Sequence, residues 1–316
     1  MMKMLAVMMF FGVLASGVAC SQAHTVAITI DDLPFVSGEA KPLSPNDARQ
    51  AAEVNRRILK RLVRRHVPTT GFVVEGEVDE LGLSEGSSIL KGWIGSGFSL
   101  GNHTYSHKGA NELTADQFKD DVIKGERTFR PLMQDSHSGL FFRFPFNATG
   151  DTKEKHVEIA EFLQRRGYRL TPCTIENEDY NFNAAYVQML RKHDEVNAKR
   201  LRAAYLTYTS EEIDYYTGLN KQVLGYEPPQ IMVLHDNQLN ADLIDQVLKL
   251  FVAKRYRFVT LEEAERDPVY QVSDTFVTKY GMMWGYRWAQ ERHVKVDGRR
   301  EKEPPSWITD YGTESQ

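Results

Sequence analysis

Seven short runs of β-branched and aromatic residues alternate with longer amphipathic stretches, and this alternation limits the fold more than any other feature of the chain. Such runs, bounded by Gly, Pro, Asn or Asp, are typical of buried strands. Helical segments between strands favour parallel pairing, so we predict an α/β protein whose parallel sheet is open or closed into a barrel. The predicted strands are Thr25–Ile30, Thr69–Val74, Phe98–Leu100, Leu140–Phe144, Tyr168–Thr174, Gln230–Leu234 and Tyr256–Thr260.

Residues that start or stop helices lie between the strand runs. Ser44 is a capping residue, and Pro45 behind it fits a first helical turn. Thr114 and Gln117 have the spacing of a capping box, in which each side chain bonds the backbone N–H of the other. Gly167 is expected to end the helix before the fifth strand. The segments between strands are therefore predicted to be helical.

Two regions break this alternation. Residues 183–227 are too long for a simple connection, and their Tyr-rich and charged pattern predicts a helical insertion. Residues 269–316 continue beyond the last predicted strand as a C-terminal extension. We predict one main domain over residues 24–268, which contains the insertion, followed by this extension.

Residues 1–23 are predicted to be a secretory signal peptide rather than part of the fold. Lys3 precedes an apolar run from Met4 to Ala15, and small residues follow up to Ala23, which is the order found in such signals. The run is shorter than the ~20 apolar residues of a membrane-spanning helix. We therefore expect a secreted or periplasmic protein of a bacterial cell envelope. The alternatives are lipidation of Cys20, which would hold the protein at a membrane, and an uncleaved anchor.

Charge and cysteine content exclude two classes of protein. The formal net charge is −4, from 39 basic and 43 acidic side chains. Nucleic-acid binders usually carry a basic face, so we expect no nucleic-acid partner. Cys20 and Cys173 are the only cysteines, too few for a disulfide framework. Cys173 is predicted to be a small buried apolar residue rather than a nucleophile.

Polar and metal-binding residues follow five of the seven predicted strands. The carboxyl ends of parallel strands meet at one edge of a sheet, where binding and catalytic groups gather. Five such clusters on one edge predict a single site. They are Asp31-Asp32, His103 with His107, Arg143 with Pro145, Glu176 with Asp179, and His235-Asp236.

His103 and His107 predict a metal site together with a strand-end aspartate. Histidines at i and i+4 lie on one face if the segment is helical. The pair alone is a weak signal, because such histidines are more often surface or core residues. Two histidines and a carboxylate leave coordination positions open, which suits catalytic Zn²⁺ and equally a non-haem Fe(II) oxygenase.

The remaining polar residues favour hydrolysis. Adjacent carboxylates repel each other unless a cation holds one, so one of Asp31 and Asp32 is expected to bind the metal and the other to act as a base. Arg143 can orient a carboxylate and keep it ionised. A base on one side and His235 as an acid on the other describe metal-assisted hydrolysis rather than oxygen activation. Taken singly, the aspartates could cap a helix, Arg143 could form a structural ion pair, and His235 could close a turn.

Other titratable and aromatic residues are expected to have structural roles. Tyr280, Trp284 and Trp288 have helical spacing, which predicts packing against the barrel, with a sugar-stacking platform as the alternative. Five histidines in polar surroundings are predicted to lie on the surface. They are His66, His137, His156, His193 and His293.

Five short motifs, in order across about residues 26–261, resemble the polysaccharide deacetylase family, the NodB-homology domain of carbohydrate esterase family 4. Two motifs depart from the family pattern: Leu33 stands where the family has Gly, and Tyr180 stands where it usually has Trp. The motifs are Thr29-Ile-Asp-Asp-Leu-Pro34, His103-Thr-Tyr-Ser-His107, Arg143-Phe-Pro-Phe146, Glu176-Asn-Glu-Asp-Tyr180 and Ile231-Met-Val-Leu-His-Asp236.

The resemblance implies a distorted seven-stranded (β/α) barrel and a role for each motif residue. Asp31 is the implied general base, and Arg143 positions it. His235 is the implied general acid, and Asp179 orients and tunes it. The backbone N–H of Phe146 is implied to hold the oxyanion. The implied metal ligands are Asp32, His103 and His107, and the implied substrate contacts are Pro145, Phe146, Tyr180 and Leu234.

The implied activity is the removal of N-acetyl groups from a glycan such as chitin oligomers, peptidoglycan or an exopolysaccharide, with release of acetate. The implied cofactor is Zn²⁺, with Co²⁺ or another divalent metal as alternatives. An O-acetyl esterase or an imide or ureide hydrolase could use the same machinery. A non-catalytic glycan-binding protein is the third interpretation, and the fully occupied base, acid and ligand positions argue against it. Tyr180 leaves the substrate open, because it changes the wall expected around the acetyl methyl group.

Overall fold

The computed structural model describes residues 24–39, 42–134 and 139–313, and within them every predicted strand is present. The fourth, fifth and seventh strands are shorter than predicted, and the first is longer because it continues through the two aspartates. In chain order the strands are β1 Thr25–Val36, β2 Thr69–Val73, β3 Ser99–Asn102, β4 Leu140–Phe142, β5 Tyr168–Leu170, β6 Gln230–Asn237 and β7 Arg257–Phe258.

The strands form one parallel sheet in the order β5-β4-β3-β2-β1-β6, with β7 beside the start of β1. Beyond β5 the chain runs on to Ile175, which bridges in parallel to Met232 of β6. This bridge joins the two ends of the strand order and closes the sheet. The predicted distorted (β/α) barrel is confirmed, with β1 at its centre between β2 and β6.

Helices lie between the strands as predicted, and their sequence signals act as expected. Thr114 and Gln117 form the reciprocal capping box. Gly167 has a φ of 81°, which favours glycine after a helix end. The helices are α1 Ala48–Arg65, α2 Glu75–Leu81, α3 Leu83–Gly95, α4 Ala115–Lys124, α5 Phe129–Leu132, α6 Lys153–Arg165, α7 Asp179–Arg191, α8 Glu195–Leu224, α9 Gln238–Ala253, α10 Leu261–Ala264, α11 Trp284–Glu291 and α12 Ser306–Thr313.

The insertion and the C-terminal extension pack together. The region predicted to be a helical insertion contains most of α7 and all of α8, which is 30 residues long. In the extension, α11 lies against α8 and α12 lies against α7. Tyr205 and Tyr216 of α8 and Ile308 of α12 are fully buried. The extension therefore completes the core on the side of the barrel where the insertion lies. The predicted domain boundaries stay a prediction.

Two predictions about single residues need correction. His156 is buried rather than on the surface, with Nδ1 3.1 Å from the carbonyl of Thr149 and Nε2 2.7 Å from that of Asp274. The extension covers it, which its polar neighbours in sequence did not indicate. The aromatic stripe is also incomplete, because Tyr280 precedes α11 and is 77% exposed, whereas Trp284 and Trp288 are buried.

The other predictions about single residues are either confirmed or concern residues that the structure does not describe. Cys173 is buried, as predicted, and burial raises the pKa of its thiol to about 12. Three of the histidines predicted to lie on the surface are exposed, and each follows a helix end (His66, His193 and His293). The predicted signal peptide, with Cys20, and His137 lie outside the described residues. Within residues 24–39, 42–134 and 139–313, no helix combines the length and the apolar character that a bilayer span requires.

Candidate active site

Two consecutive aspartates of β1 both face the site. Side chains of a regular strand alternate between its faces, but β1 is irregular between Ile30 and Leu33. Asp32 has a φ of 59°, in the left-handed region. Both carboxylates consequently approach Nε2 of His103, at 3.7 Å from Asp31 and 3.5 Å from Asp32.

Asp32, His103 and His107 offer three ligand atoms that lie within 4.8 Å of one another. Nε2 of His107 is 3.2 Å from Oδ1 of Asp32, and that buried oxygen accepts no hydrogen bond from the residues described. Nδ1 of His103 is 2.8 Å from the carbonyl oxygen of Arg143. The carbonyl can only accept, so Nδ1 carries the proton and Nε2 presents its lone pair to Asp32. Two imidazole nitrogens and an unpaired carboxylate oxygen are a donor set that fits one divalent cation.

The loop that brings the two histidines together is not helical. Thr104 and His107 have φ values of 71° and 54°. The N-terminal N–H groups of α2 hold this loop, because Glu75 donates to the carbonyl of Thr104 and Gly76 to that of Tyr105. The predicted proximity of the histidines holds, but these left-handed turns produce it rather than a shared helix face.

The electrostatic state of these residues suits metal binding. Burial lowers the pKa of His103 to about 4, so its imidazole is neutral at pH 7. Burial alone would raise the pKa of Asp32, but the neighbouring histidines, His107 foremost, hold it well below its usual range. The pKa of His107 is raised despite burial, because Asp32 stabilises its charged form. A cation would replace that proton between His107 and Asp32.

Arg143 holds Asp31 from within the core of the protein. Its guanidinium is 1% exposed, lies over the ring of Phe72 at 4.4 Å from the centroid, and donates to Oδ1 of Asp31 at 2.6 Å. The same nitrogen donates to Oγ1 of Thr29 at 2.7 Å. Thr29 was not singled out as a site residue, although its position two residues before Asp31, on the same strand face, could have indicated it.

His235 is held by Asp179 through both backbone and side chain. Asp179 accepts from the backbone N–H of His235 at 2.8 Å and lies 2.6 Å from its Nδ1. Burial lowers the pKa of His235, but the charge and hydrogen bond of Asp179 outweigh this effect and raise it to about 10. The amide of Asn240 donates to Asp179 and to the carbonyl of His235. Asn240 was not singled out, although it lies in the first turn of α9, three residues after the end of β6.

The four predicted substrate contacts surround these residues to different extents. Phe146 is 62% exposed, and its ring centroid is 4.7 Å from that of His107. Tyr180 is 43% exposed, and its ring packs edge-on against His235 at 5.6 Å. Pro145 and Leu234 are buried. The two exposed aromatic rings therefore lie against His107 and His235, and all four substrate roles stay predictions.

The C-terminal extension reaches the site through the Phe146 loop. Gly281 packs so closely on this loop that an added Cβ would lie 1.4 Å from the carbonyl oxygen of Phe146. Arg287 is fully buried and donates to Asp274 and, at 2.6 Å, to Oγ1 of Thr149. The extension therefore supports the loop from behind, which the sequence did not indicate.

Comparisons with known proteins agree with this geometry. Residues 19–168 match a family model described as polysaccharide deacetylase, and this range contains the first three of the five motifs. No curated protein matches the chain at significant similarity.

Solved structures share the fold at low sequence identity. A carbohydrate esterase family 4 pseudoenzyme from Bacillus anthracis aligns with a TM-score of 0.51 at 16% identity, over 77% of this chain and 66% of that one. A mutant of a family 4 pseudoenzyme with restored enzymatic activity aligns with a TM-score of 0.51 at 17% identity, over 77% and 68%. This chain thus spans about two thirds of their length. These structural similarities show that this chain shares the fold of those proteins.

Proposed function

Because residues 19–168 match a family model described as polysaccharide deacetylase, we propose that the protein removes N-acetyl groups from a glycan by metal-dependent hydrolysis. One observation carries the proposal. Asp31, a carboxylate paired with a buried arginine, and His235, an imidazole paired with a buried aspartate, lie side by side on neighbouring strands. The candidate cation ligands lie beside them. Hydrolysis of an amide needs this combination of base, acid and electrophile.

The residues of the chain divide the proton transfers between them. A divalent cation at Asp32, His103 and His107 supplies Lewis acidity, which polarises a carbonyl oxygen and makes water more acidic. Asp31 accepts a proton from the water that attacks the acetamide carbonyl. The hydrogen bond from Arg143 fixes the direction of this carboxylate.

The second half of the reaction belongs to His235 and the Phe146 loop. The backbone N–H of Phe146 donates to the acetyl oxygen as negative charge develops on it. The C–N bond then breaks, and His235 gives its proton to the departing nitrogen. Asp179 stabilises the imidazolium before transfer. The products are acetate and a free amino sugar.

We propose Zn²⁺ as the cation. Two histidines and one carboxylate form the three-ligand set of catalytic zinc sites, which leaves a position for water or substrate. The same set also serves non-haem Fe(II) enzymes, but those have no use for a base and an acid on either side. Export to the cell envelope, as the first 23 residues predict, would bring the enzyme to a glycan.

We propose an N-acetyl substrate rather than an O-acetyl ester because His235 can act as a general acid toward the leaving group. An amine is a poor leaving group until it is protonated, whereas an alkoxide leaves with less help. The pKa of His235, raised to about 10, keeps a proton available for that step at neutral pH. A non-catalytic glycan-binding protein is the weaker proposal, because every proposed catalytic position carries a functional side chain in this fold.

The test is acetate release from the metal-loaded protein. N-acetylglucosamine oligomers, peptidoglycan and O-acetylated xylan are incubated with protein that holds one equivalent of Zn²⁺, and a cyclic imide, whose hydrolysis releases no acetate, is followed separately by loss of the imide. We expect acetate from an N-acetylated glycan, lost on chelation and restored by Zn²⁺. If acetate were released from xylan alone, the substrate would be an ester rather than an amide. Glycan binding without any product, and unchanged by chelation, would support the non-catalytic interpretation and overturn the proposal.

A further inference from the structure

Four glutamates from three distant segments converge next to His235. Glu176 and Glu178 follow the fifth strand, Glu212 lies in α8, and Glu301 lies in the C-terminal extension. We call these four residues the glutamate cluster. Burial is the largest cause that raises the pKa values of Glu176, Glu178 and Glu212, and the charges of neighbouring glutamates raise them further. At Glu178 a hydrogen bond from Asn181 offsets part of this rise.

Tyrosine hydroxyls line the glutamate cluster. Tyr216 donates to Glu301 and lies 3.4 Å from Glu176. Tyr286 donates to the other oxygen of Glu301 at 2.5 Å. Lys302, the residue after Glu301, pairs with Glu211 at 2.7 Å instead. Each hydroxyl supplies one hydrogen bond to a carboxylate oxygen and no positive charge.

Glu212 shows that this arrangement is incomplete. Its side chain is 2% exposed, and Oε1 has no hydrogen-bond partner among the described residues. A buried acceptor without a partner costs free energy. The pKa values agree, since they rise to about 8 for Glu212 and about 7 for Glu176. A positively charged hydrogen-bond donor would relieve both the unpaired oxygen and the mutual repulsion.

The glutamate cluster adjoins the proposed reaction centre. Glu178 directly precedes Asp179, which holds His235, and Tyr180, whose ring packs on His235. His235 and Glu176 are close enough for the imidazolium charge to lower the pKa of Glu176. A ligand bound to the cluster therefore lies beside the sugar whose amide is cleaved.

The spacing of the carboxylates favours an organic cation over a metal ion. Among the described residues, Asp32, His103 and His107 are the one group of three or more ligands whose donor atoms lie within 4.8 Å of one another. The glutamate oxygens do not meet that condition, so they are too far apart to share one metal ion. Separated carboxylates and hydroxyls match an ammonium group carried on a hydroxylated ring.

We propose that the glutamate cluster is a subsite that binds the ammonium group of an amino sugar neighbouring the acetylated residue, so that the preferred substrate is a partly deacetylated glycan. This inference rests on the proposed deacetylase function. Each turnover also leaves an amino sugar of the kind that the subsite binds. An acetamide is neutral and bulkier, and it gains no charge interaction at the glutamates.

Binding is measured first, with a ligand that cannot be turned over. Zn²⁺-loaded protein is titrated calorimetrically with a glucosamine tetramer, at a pH where the amine is protonated. The titration is repeated with the double variant Glu176→Gln, Glu212→Gln, and with Glu195→Gln, an exposed residue at the start of α8, as the matched control. We expect the double variant to bind about tenfold or more weakly and the control to bind like the wild type. The double variant should fold, because Gln removes an unsatisfied buried charge, and thermal unfolding checks this.

Three results would overturn the inference. The first is no binding of the glucosamine tetramer by the wild type, which needs no variant to be informative. The second is equal binding by the double variant. The third is displacement of the tetramer by Mg²⁺ beyond the effect of KCl at equal ionic strength, which would assign the glutamates to a metal ion.

Activity separates this inference from the proposed function. We expect kcat/KM for acetate release to be higher for a tetramer with one remaining acetyl group than for the fully acetylated tetramer, and the double variant to lose that preference through KM. If both tetramers released acetate equally and the glucosamine tetramer did not bind, the subsite would be refuted and the proposed deacetylase function would stand. If the glucosamine tetramer bound in a glutamate-dependent way but no substrate released acetate, the deacetylase function would be refuted. The glutamate cluster would then stand as a binding site for positively charged amino sugars.

Discussion

The Cα atoms of Asp31 and His235 are register partners on the neighbouring parallel strands β1 and β6. Neighbouring strands lie about 4.8 Å apart, and the pairs before this one, Ile30 with Leu234 and Thr29 with Val233, continue the same ladder. The proposed base and acid are therefore fixed by backbone hydrogen bonds rather than by loops. Their separation should persist when substrate enters, and Tyr180 is likewise held in the first turn of α7.

Asp31→Asn should abolish turnover while leaving metal binding intact. The amide cannot accept the proton of the attacking water, so we expect kcat to fall by about 10²–10⁴-fold. Buried Arg143 also loses its carboxylate partner, so the melting temperature should fall as well. Acetate release, zinc content and thermal unfolding are measured on the same sample. Full activity in a folded, metal-loaded variant would remove Asp31 from the role of base.

His103→Ala should lose the metal and, with it, activity. Its Nε2 is one of three atoms converging on the candidate site, and two ligands are too few for a stable zinc site. Zinc content after dialysis, measured by mass spectrometry, should fall far below one equivalent. His193→Ala, which removes an exposed imidazole far from these atoms, is the control and should retain its zinc. A variant at residue 103 that still held one equivalent would show that the ligand set is different.

Asp179→Asn should move the alkaline limb of the pH–rate profile to lower pH. His235 must be protonated to act as the acid, and Asp179 raises its pKa to about 10 against the effect of burial. Asn supplies no negative charge, so burial then dominates and the pKa of His235 falls. We expect the upper limb of kcat/KM to shift down by about 1–3 pH units. Asp214→Asn, an exposed position on α8, should leave the profile unchanged, and an unshifted limb in Asp179→Asn would contradict the role of this pair.

The strand positions and the main site residues could be predicted because both follow from local sequence. A buried strand shows itself as a short apolar run, and the edge of a parallel sheet collects whatever follows each run. Asp31, His103 and His235 were found on that basis. The same rule does not give loop conformation, so the left-handed turns at Thr104 and His107 had no signal in the sequence.

Contacts between distant segments explain the remaining errors and omissions. His156 looked like a surface residue because nothing near it in the chain reports that Asp274 covers it. Glu212 and Glu301 are 89 positions apart, and neither looks unusual among charged neighbours. Their approach depends on how the extension packs on α8, which is decided by the whole core. Local sequence patterns therefore predict the barrel and the residues at the carboxyl ends of its strands. The contacts between distant segments around the site are seen only in the structure.

Gly281→Ala should reduce activity without loss of metal. The added Cβ would lie 1.4 Å from the carbonyl oxygen of Phe146, so either the extension or the Phe146 loop must move. Movement of the loop displaces the backbone N–H proposed to hold the oxyanion, and loss of one such donor costs about 10²–10³-fold in kcat. Because part of the strain can be absorbed by the extension, we expect a loss of about tenfold or more. Zinc content should stay at one equivalent, since Asp32, His103 and His107 are on other segments.

Gly312→Ala is the matched control for that substitution. It lies in α12 of the same extension, and its added Cβ would make ordinary contacts, at 3.5 Å from the backbone nitrogen of Ala185 and 3.6 Å from Cβ of Ala184. We expect wild-type kcat and a melting temperature equal to or above that of the wild type. Equal kcat for both alanine variants would mean that the extension does not position the Phe146 loop. A lower kcat for Gly281→Ala alone, at unchanged zinc content, would give the extension a part in catalysis.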